Sequence, residues 1–245
     1  MTKRFRMVAG PNGSGKSTLV ANLRRDYALN FYTMLNADDI YAEVSRTLAY
    51  LPSVPVSARD LVEYAQASEY GPEVKQVFVD GSITVMGDAI RFASPDAVNS
   101  YTIALLTNFL QCEHIRQGLS FSQETVFSHP SKVAALKSAR ENGFRTYLYF
   151  VANQDISINL TRIANRVAIG GHNVPDEKVI ARANRCLANI KPALQYCSRA
   201  YFSIIALRKW SSWPNTRKGM ASSASKELSY RTGSSSPRSK AVLRI

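Results

Sequence analysis

The sequence predicts an α/β fold in which a parallel sheet is flanked by helices. Short apolar segments alternate with amphipathic helical patterns along the chain, and this alternation is typical of βαβ units. The segment TYLYFV at 146–151 is continuously apolar or aromatic, as expected of a strand covered on both faces. With 245 residues, the chain is long enough for one large domain with an appendage.

The first predicted elements surround a glycine-rich loop. Residues 4–9 predict a short buried strand that runs directly into this loop, and the apolar spacing over Lys16–Arg25 predicts a helix after it. Phe31–Leu35 predicts a second strand, and Asp38 is expected to begin the helix that follows. Residues 51–97 contain four prolines among scattered apolar residues, which indicates an insertion with short helices.

Helices and strands continue to alternate in the second half of the chain. The predicted elements are a helix over Val98–Gln117, a strand over Leu119–Gln123, a helix between Pro130 and Gly143, the strand at 146–151, a helix over Asp155–Ala168 and, after the segment GGHNVP, a helix opened by Pro175. The residues expected to face inward are Val98, Tyr101, Leu105, Phe109 and Cys112 in the first helix and Ile180, Ala183, Leu187, Ile190 and Leu194 in the last.

The character of the chain changes after about Ser203. The segment 204–245 holds ten serines, nine lysines and arginines and one acid, so it carries +8 of the formal net charge of +13. We therefore expect a folded domain over 1–203 and a basic, serine-rich tail over 204–245 that is largely disordered. A charge excess concentrated in a tail does not indicate a folded nucleic-acid interface, so nucleic acid is not an expected partner.

The sequence disfavours a secreted protein, a membrane protein and a disulfide-rich or cysteine-metal protein. The segment MTKRFRMVAG has too few apolar residues for a secretory signal, and no stretch has the roughly 18 apolar residues of a membrane span. We therefore expect a cytoplasmic protein with no membrane contact. Cys112, Cys186 and Cys197 are widely spaced, which disfavours a disulfide framework or a cysteine metal site. Cys112 and Cys186 are predicted to be buried thiols.

Residues 10–17, GPNGSGKS, indicate the chemistry of the chain. They match the pattern G-x-x-x-x-G-K-S/T between a predicted strand and a predicted helix. Glycines let successive backbone N–H groups face one concavity, and the helix N-terminus adds partial positive charge. Lys16 is expected to reach the β and γ phosphates of ATP, and Ser17 to offer its hydroxyl to Mg²⁺. The expected ATP-binding residues are Gly10, Pro11, Asn12, Gly13, Ser14, Gly15, Lys16, Ser17 and Thr18.

A phosphate loop alone does not distinguish kinases, GTPases, motor ATPases and nucleic-acid enzymes. The sequence shows no NKxD element, with which a GTPase normally recognises its base. Residues 77–80, VFVD, are similar to the apolar strand and aspartate that hold Mg²⁺ in many ATPases. Asp80 is therefore a further candidate metal ligand, although Gly81 and Ser82 follow it in place of a catalytic glutamate.

Four segments together resemble the zeta toxin family: AGPNGSGKSTL at 9–19, NADDI at 36–40, SFSQETVFS at 120–128 and NRVAIGGHNVP at 165–175. The resemblance covers about residues 4–203. It implies a P-loop NTPase-like fold with a helical lid and phosphoryl transfer from ATP to a small hydroxylated acceptor. The family's best-known acceptor is the nucleotide sugar UDP-N-acetylglucosamine. Because the family is related to the toxins of bacterial toxin–antitoxin pairs, an antitoxin protein is an implied partner.

The same resemblance assigns roles to individual residues. Lys16 is expected to be catalytic, and Asp38 falls where the family has the carboxylate that takes the proton of the acceptor hydroxyl. The adjacent Asp39 is the alternative, since one of the two carboxylates could serve only to cap the helix. Glu124, at the end of a predicted strand, is expected to contact the acceptor together with Thr125.

Arginines on the last two predicted helices complete the set. Arg162 and Arg166 are four residues apart and so share a helix face. The resemblance implies that this pair is catalytic and neutralises charge on the transferring phosphoryl group. Arg182 and Arg185 are further candidates, and His172 in GGHNVP is expected to organise that loop or contact the acceptor.

The chain departs from the family at its end. Family members usually continue past a segment such as 198–202 into an acidic, polar stretch, whereas a basic tail follows here. This difference puts the closing strand or helix of the fold in question. Two alternatives therefore stay open: an ATP-binding module without productive catalysis, and a nucleic-acid-associated P-loop ATPase.

Overall fold

The computed structural model describes residues 2–168, 174–205, 229–231 and 241–244. The strands are β1 (Arg4–Ala9), β2 (Thr33–Asn36), β3 (Ala49–Tyr50), β4 (Ile83–Met86), β5 (Ala89–Phe92), β6 (Phe121–Thr125), β7 (Arg145–Asn153), β8 (Arg199–Ile205), β9 (Ser229–Arg231) and β10 (Ala241–Arg244). The helices are α1 (Lys16–Tyr27), α2 (Ala37–Thr47), α3 (Ala58–Ala67), α4 (Pro72–Val79), α5 (Ser100–Arg116), α6 (Ser131–Glu141), α7 (Ile156–Ala168) and α8 (Asp176–Leu194). Within this described part, no helix has the length and apolar character required to cross a membrane.

The large sheet has the strand order β2-β6-β1-β7-β8-β10-β9. β2 pairs with β6 and β7 pairs with β8 in parallel, whereas β10 is antiparallel to both β8 and β9. A second, antiparallel sheet has the order β3-β5-β4. The predicted α/β fold, with a mostly parallel sheet and flanking helices, is confirmed.

The chain divides into two compact units. The first comprises Met1–Phe5, Asn30–Thr125 and Glu141–Phe144, and the second comprises Arg6–Leu29, Val126–Arg140 and Arg145–Ile245. In the first unit, α5 begins with a reciprocal cap, in which Asn99 Oδ1 accepts from the Thr102 amide and Thr102 Oγ1 accepts from the Asn99 amide. This cap fixes the start of the longest helix of that unit.

The second unit is built around β7. Its buried residues Leu148, Phe150 and Val151 contribute to the core, and the Phe150 ring packs edge-on against Phe127 at 6.4 Å. α7 and α8 meet through a cluster of buried apolar residues: Ile163, Val174 and Val179, with Ile156, Leu160 and Val167 packed against them. This packing fixes α7 beside the end of β7, which it follows in the chain.

The predicted strand over residues 77–80 is wrong, since these residues end α4. The helix starts at Pro72 after Gly71, and its buried residues Val74 and Phe78 are one helical turn apart. Asp80 is the C-cap residue, and its Oδ1 accepts from the Ser82 amide. It therefore closes a turn and does not end a strand, which removes the reason for proposing it as a metal ligand.

The inward faces predicted for α5 and α8 are partly wrong. On α5, Leu105 and Phe109 are buried, but Tyr101 is 65% exposed and Cys112 is exposed. Most faces of this helix are buried, so the spacing of its apolar residues does not show which narrow face is exposed to solvent. On α8, Ile180 and Leu187 are 43% and 55% exposed, and the buried positions are one residue earlier, at Val179, Cys186 and Ala193.

The start of α2 differs from the prediction, and the prediction for the tail stays a prediction. Asn36 and not Asp38 caps α2, because its side chain accepts from the Asp38 amide at 3.0 Å. Within the tail predicted to be largely disordered, the described residues 229–231 and 241–244 are strands of the large sheet. The insertion over 51–97 contains the predicted short helices and also the hairpin of β4 and β5, which was not predicted.

Candidate functional site

The glycine-rich loop joins β1 to α1 and is made possible by its glycines. Gly10, Gly13 and Gly15 have φ angles of +150°, +73° and +97°, in a region that residues with a side chain rarely adopt. A Cβ on Gly10 would collide with the Val151 carbonyl oxygen, and one on Gly13 would lie 2.6 Å from the Asn159 carbonyl oxygen. These positions therefore need glycine both for the turn and for the close approach of β7 and α7.

The carbonyl groups of the loop face side chains from β7 and α7. Asn159 Nδ2 donates to the Asn12 carbonyl at 2.6 Å, and Asn153 Nδ2 donates to the Gly13 carbonyl at 3.4 Å. The two asparagines are joined by a hydrogen bond of 2.8 Å from Asn153 Nδ2 to Asn159 Oδ1. Asn159 is 1% exposed, so these contacts are shielded from water.

Arg162 holds the same side of the loop. Its Nη1 lies 3.3 Å from the carbonyl oxygens of both Gly13 and Ser14. In a trans peptide the C=O of one residue points opposite to the N–H of the next, and no peptide in the described part of the chain is cis. Asn159 and Arg162 bind the carbonyls of Asn12 and Ser14, so the N–H groups of Gly13 and Gly15 point away from α7. Strand, glycine loop and helix follow one another in an α/β sheet.

The chain has a P-loop fold.

A buried hydroxyl in the P-loop fits a polyphosphate ligand. Among the described residues, Ser14 Oγ has no hydrogen-bond partner, although it is buried. Buried polar atoms without a partner are unusual, and a ligand is one explanation. The Ser14 hydroxyl can donate to a phosphate oxygen. Ser17 lies in the first turn of α1, where its hydroxyl suits Mg²⁺, a cation that prefers oxygen ligands.

One cation lies directly at the P-loop in the second unit. Lys16 is the first residue of α1, and its Nζ donates to the Pro11 carbonyl at 3.2 Å. Burial raises the pKa of the Cys186 thiol to about 12, although the positive charges of Lys16, Arg185 and Arg182 act in the opposite direction. The roles of Arg182 and Arg185 stay predictions.

The candidate acceptor residues lie together in the first unit, at the end of two adjacent strands. β2 and β6 are parallel, and Asn36 is paired with Glu124 in their register. Asp38 follows Asn36 in the first turn of α2 and is exposed, while Glu124 and Thr125 are half-buried at the end of β6. The carboxyl ends of parallel strands are the usual ligand-binding edge of an α/β sheet.

Asp38 and Asp39 have different surroundings. The pKa of Tyr50 is raised by burial and, to a smaller extent, by the negative charges of Glu43 and Asp39. Asp39 therefore lies near the Tyr50 phenol of β3, and Asp38 does not contribute to this shift. The choice of Asp38 as the carboxylate that acts on the acceptor stays a prediction.

The structure gives the predicted residues Arg162 and Arg166 different surroundings. The structure brings Arg162 to the P-loop carbonyls, which gives it a positioning contact, and its catalytic role stays a prediction. Arg166, one turn later on α7, is exposed, and its role also stays a prediction. His172 lies outside the described residues.

Asn153 and Asn159 were missed by the sequence reasoning. Asn153 ends the long apolar strand β7, and a polar residue at that position is a signal that could have been used. Asn159 could not have been found in this way, because its burial depends on where α7 lies against the loop.

This chain is similar to a curated protein over part of its length and to several solved structures. No family model matches this chain. An uncharacterised protein of Haemophilus influenzae is 37% identical over 65 residues, which is 26% of this chain and 46% of that protein. The chain thus spans less than half the length of this relative.

Solved structures with a similar fold include a toxin–antitoxin system. The PezAT chromosomal system of Streptococcus pneumoniae has a TM-score of 0.49 and 14% identity, covering 84% of this chain and 69% of that one. The AvrRxo1-ORF1 complex with AvrRxo1-ORF2 and ATP has a TM-score of 0.49 and 12% identity, covering 84% and 55%. Both similarities are at low sequence identity, and neither concerns the activity, substrate or partners of this chain.

Replacing Asn159 by alanine is expected to weaken ATP binding. The change leaves the Asn12 carbonyl without its 2.6 Å hydrogen bond, so unfolding should become easier by about 1–3 kcal/mol. Because the loop loses its support on the α7 side, we also expect roughly tenfold weaker ATP binding in calorimetry. Asn108→Ala, which removes a 3.0 Å bond to the Tyr70 hydroxyl, should lower stability but leave ATP affinity unchanged. Equal ATP affinity in the two variants would contradict a supporting role for Asn159.

Proposed function

We propose that the protein is an ATP-dependent kinase that transfers the γ-phosphoryl group of ATP to a hydroxyl of a small acceptor. The observation that carries this proposal is the P-loop. Three glycines turn it, its carbonyls are bound on the α7 side, and Lys16 stands at the start of α1. In addition, Ser14 Oγ is buried and has no hydrogen-bond partner among the described residues, which supports a ligand at this position.

The residues of the second unit bind and neutralise the triphosphate in this proposal. The N–H groups of the loop and the Ser14 hydroxyl donate to phosphate oxygens, and Lys16 balances the charge of the β and γ phosphates. Mg²⁺, held by Ser17, supplies further neutralisation of the phosphate oxygens when it is bound. Arg162 keeps the loop in shape, and Arg166 is proposed to contact the transferring group.

The residues of the first unit are proposed to act on the acceptor. Asp38 is exposed in the first turn of α2, and a carboxylate there can accept the proton of a hydroxyl group. Glu124 and Thr125 offer hydrogen-bonding groups at the end of the neighbouring strand and are proposed to orient the acceptor. These roles come from the resemblance to zeta toxins.

We further propose that the acceptor is a nucleotide sugar such as UDP-N-acetylglucosamine. We also propose that an antitoxin protein binds this chain and that this chain acts in the cytoplasm. The resemblance of the four motifs supports these proposals.

The acceptor is tested by incubating the protein with Mg²⁺ and γ-labelled ATP in the presence of single nucleotide sugars. We expect label on UDP-N-acetylglucosamine and none when the sugar is omitted or when its hydroxyls are blocked. Label on a different small alcohol would replace the proposed acceptor but keep the kinase. Binding of Mg-ATP without transfer to any acceptor would instead favour an ATP-binding module, and absence of ATP binding would overturn the proposed function.

A further inference from the structure

A second cationic site lies in the second unit, far along β7 from the P-loop. It is a cavity of about 330 Å³, lined by Arg140, Arg145, Tyr147, Cys197, Ser198 and Arg199. Its volume is at the lower end of the range for small-molecule sites, which is enough for a ligand the size of a single nucleotide. Neither the P-loop nor the candidate acceptor residues contribute to it.

The sheet register brings the arginines together. Arg145 and Tyr147 are two residues apart at the start of β7 and so share a face of the sheet. Arg199, the first residue of β8, is paired with Tyr147 in the parallel register. Arg145 and Arg199 therefore lie near each other, at the amino-terminal ends of two neighbouring strands.

Arg140 completes the cavity from the end of α6. Its Nη1 donates to Ser198 Oγ at 2.7 Å, and the same oxygen accepts from the Thr146 amide at 3.1 Å. The Arg140 side chain is thereby fixed before any ligand arrives, which lowers the conformational entropy that binding would cost.

The charge of the cavity is not balanced by the protein. Three guanidinium groups line it and no carboxylate does. Among the described residues, none of the three arginines forms an ion pair. Arg6 adds another positive charge close by, since its guanidinium carbon lies 5.1 Å from the centre of the Tyr147 ring. Such a site matches an anion with more than one negative charge, and the planar fork of arginine suits phosphate oxygens.

This cavity is separate from the P-loop along the same strand. The P-loop meets β7 near its end, at Val151 and Asn153, whereas the cavity is formed at its start. Six residues of extended chain, from Tyr147 to Asn153, span about 20 Å. An ATP molecule on the P-loop and an anion in the cavity can therefore be bound at the same time.

We propose that this arginine cavity binds a phosphate-bearing anion, either a free phosphorylated small molecule or a phosphate group of a nucleic-acid strand. The proposal goes beyond the kinase reaction and does not depend on it. Binding is expected to weaken as salt is added, because Arg145 and Arg199 are exposed to solvent.

The proposal is tested by calorimetric titration of the full chain after the P-loop has been saturated with Mg²⁺ and a non-hydrolysable ATP analogue. The probes are inorganic pyrophosphate, AMP and a short single-stranded DNA oligonucleotide. We expect at least one probe to bind, and Arg145→Ala with Arg199→Ala to weaken it at least about tenfold. The matched control, Arg46→Ala with Arg91→Ala, removes the same charge from exposed positions of the first unit and should bind the probe as the unaltered chain does.

Each outcome decides the proposal. Loss of pyrophosphate or AMP binding in the cavity variant alone supports it and identifies a small phosphorylated ligand. Loss of oligonucleotide binding alone also supports it and identifies a nucleic acid. Unchanged binding in the cavity variant, an equal loss in the control variant, or no binding of any probe to the unaltered chain would overturn it. Because the variants are compared with each other, the result is independent of whether the P-loop binds ATP.

Discussion

Lys16→Ala is expected to lower the rate of phosphoryl transfer by about 10²- to 10³-fold, since removing one preorganised group that stabilises transition-state charge has an effect of this size. Lys16 is the first residue of α1, and its Nζ already lies against the loop, 3.2 Å from the Pro11 carbonyl. Its ammonium group is therefore positioned before ATP binds. The measurement is the kcat for transfer to the acceptor, with binding of Mg-ATP measured alongside.

The control for this change is Lys191→Ala, which removes a positive charge from an exposed position near the end of α8. It should leave transfer and ATP binding unchanged. Loss of activity in both variants would point to net charge as the cause, and full activity of the Lys16 variant would remove Lys16 from the mechanism. Thermal unfolding of both variants should be close to that of the unaltered chain.

Asp38→Asn is expected to reduce kcat by about 10²- to 10⁴-fold, the usual contribution of a general base, while Mg-ATP binds normally. An amide of nearly the same shape cannot take a proton from the acceptor hydroxyl. The side chain is exposed and the cap of α2 is provided by Asn36, so the fold should not change beyond the loss of a favourable helix-dipole interaction of about 0.3–1 kcal/mol.

Asp39→Asn is the matched control, because it changes the same group in the same helical turn. Asp39 lies near Tyr50, so its neutralisation should move the pKa of that tyrosine downward and leave kcat unchanged. The opposite pattern, with activity lost in the Asp39 variant and kept in the Asp38 variant, would assign the base to Asp39.

The fold could largely be predicted from sequence where local constraints decide the structure. The P-loop was predicted because left-handed φ angles require glycines, and Gly10, Gly13 and Gly15 adopt them. The strand at 146–151 was predicted because its apolar run leaves no face for water, and it forms the middle of β7.

Predictions failed where neighbouring positions are equally apolar. Val179 and Ile180 both suit a buried helix face, and only packing against the rest of the second unit selects Val179. VFVD at 77–80 suits a strand by composition, and Pro72 at the start of α4 makes it helical instead. Periodicity alone does not distinguish these cases.

The residues proposed to act on ligands came from motifs, and the residues that support the loop were missed. The pattern at 10–17 proposed Lys16 and Ser17, the resemblance to zeta toxins proposed Asp38, and the roles of all three stay predictions. Asn153 and Asn159 contact the loop across about 140 residues of chain, and no local pattern reports such a contact. The arginine cavity was missed for the same reason, since the register of β7 and β8 creates it.

Because α7 is hydrogen-bonded to the P-loop, the rigidity of the P-loop depends on the rigidity of α7. Ile163 of α7 packs against Val174 and Val179. A smaller side chain at Ile163 would weaken this packing and so the position of α7. Since Asn159 and Arg162 of α7 bind the loop, the loop conformation would become less well fixed as well. Under the proposed function, substitutions in this hydrophobic cluster should therefore weaken nucleotide binding as well as stability.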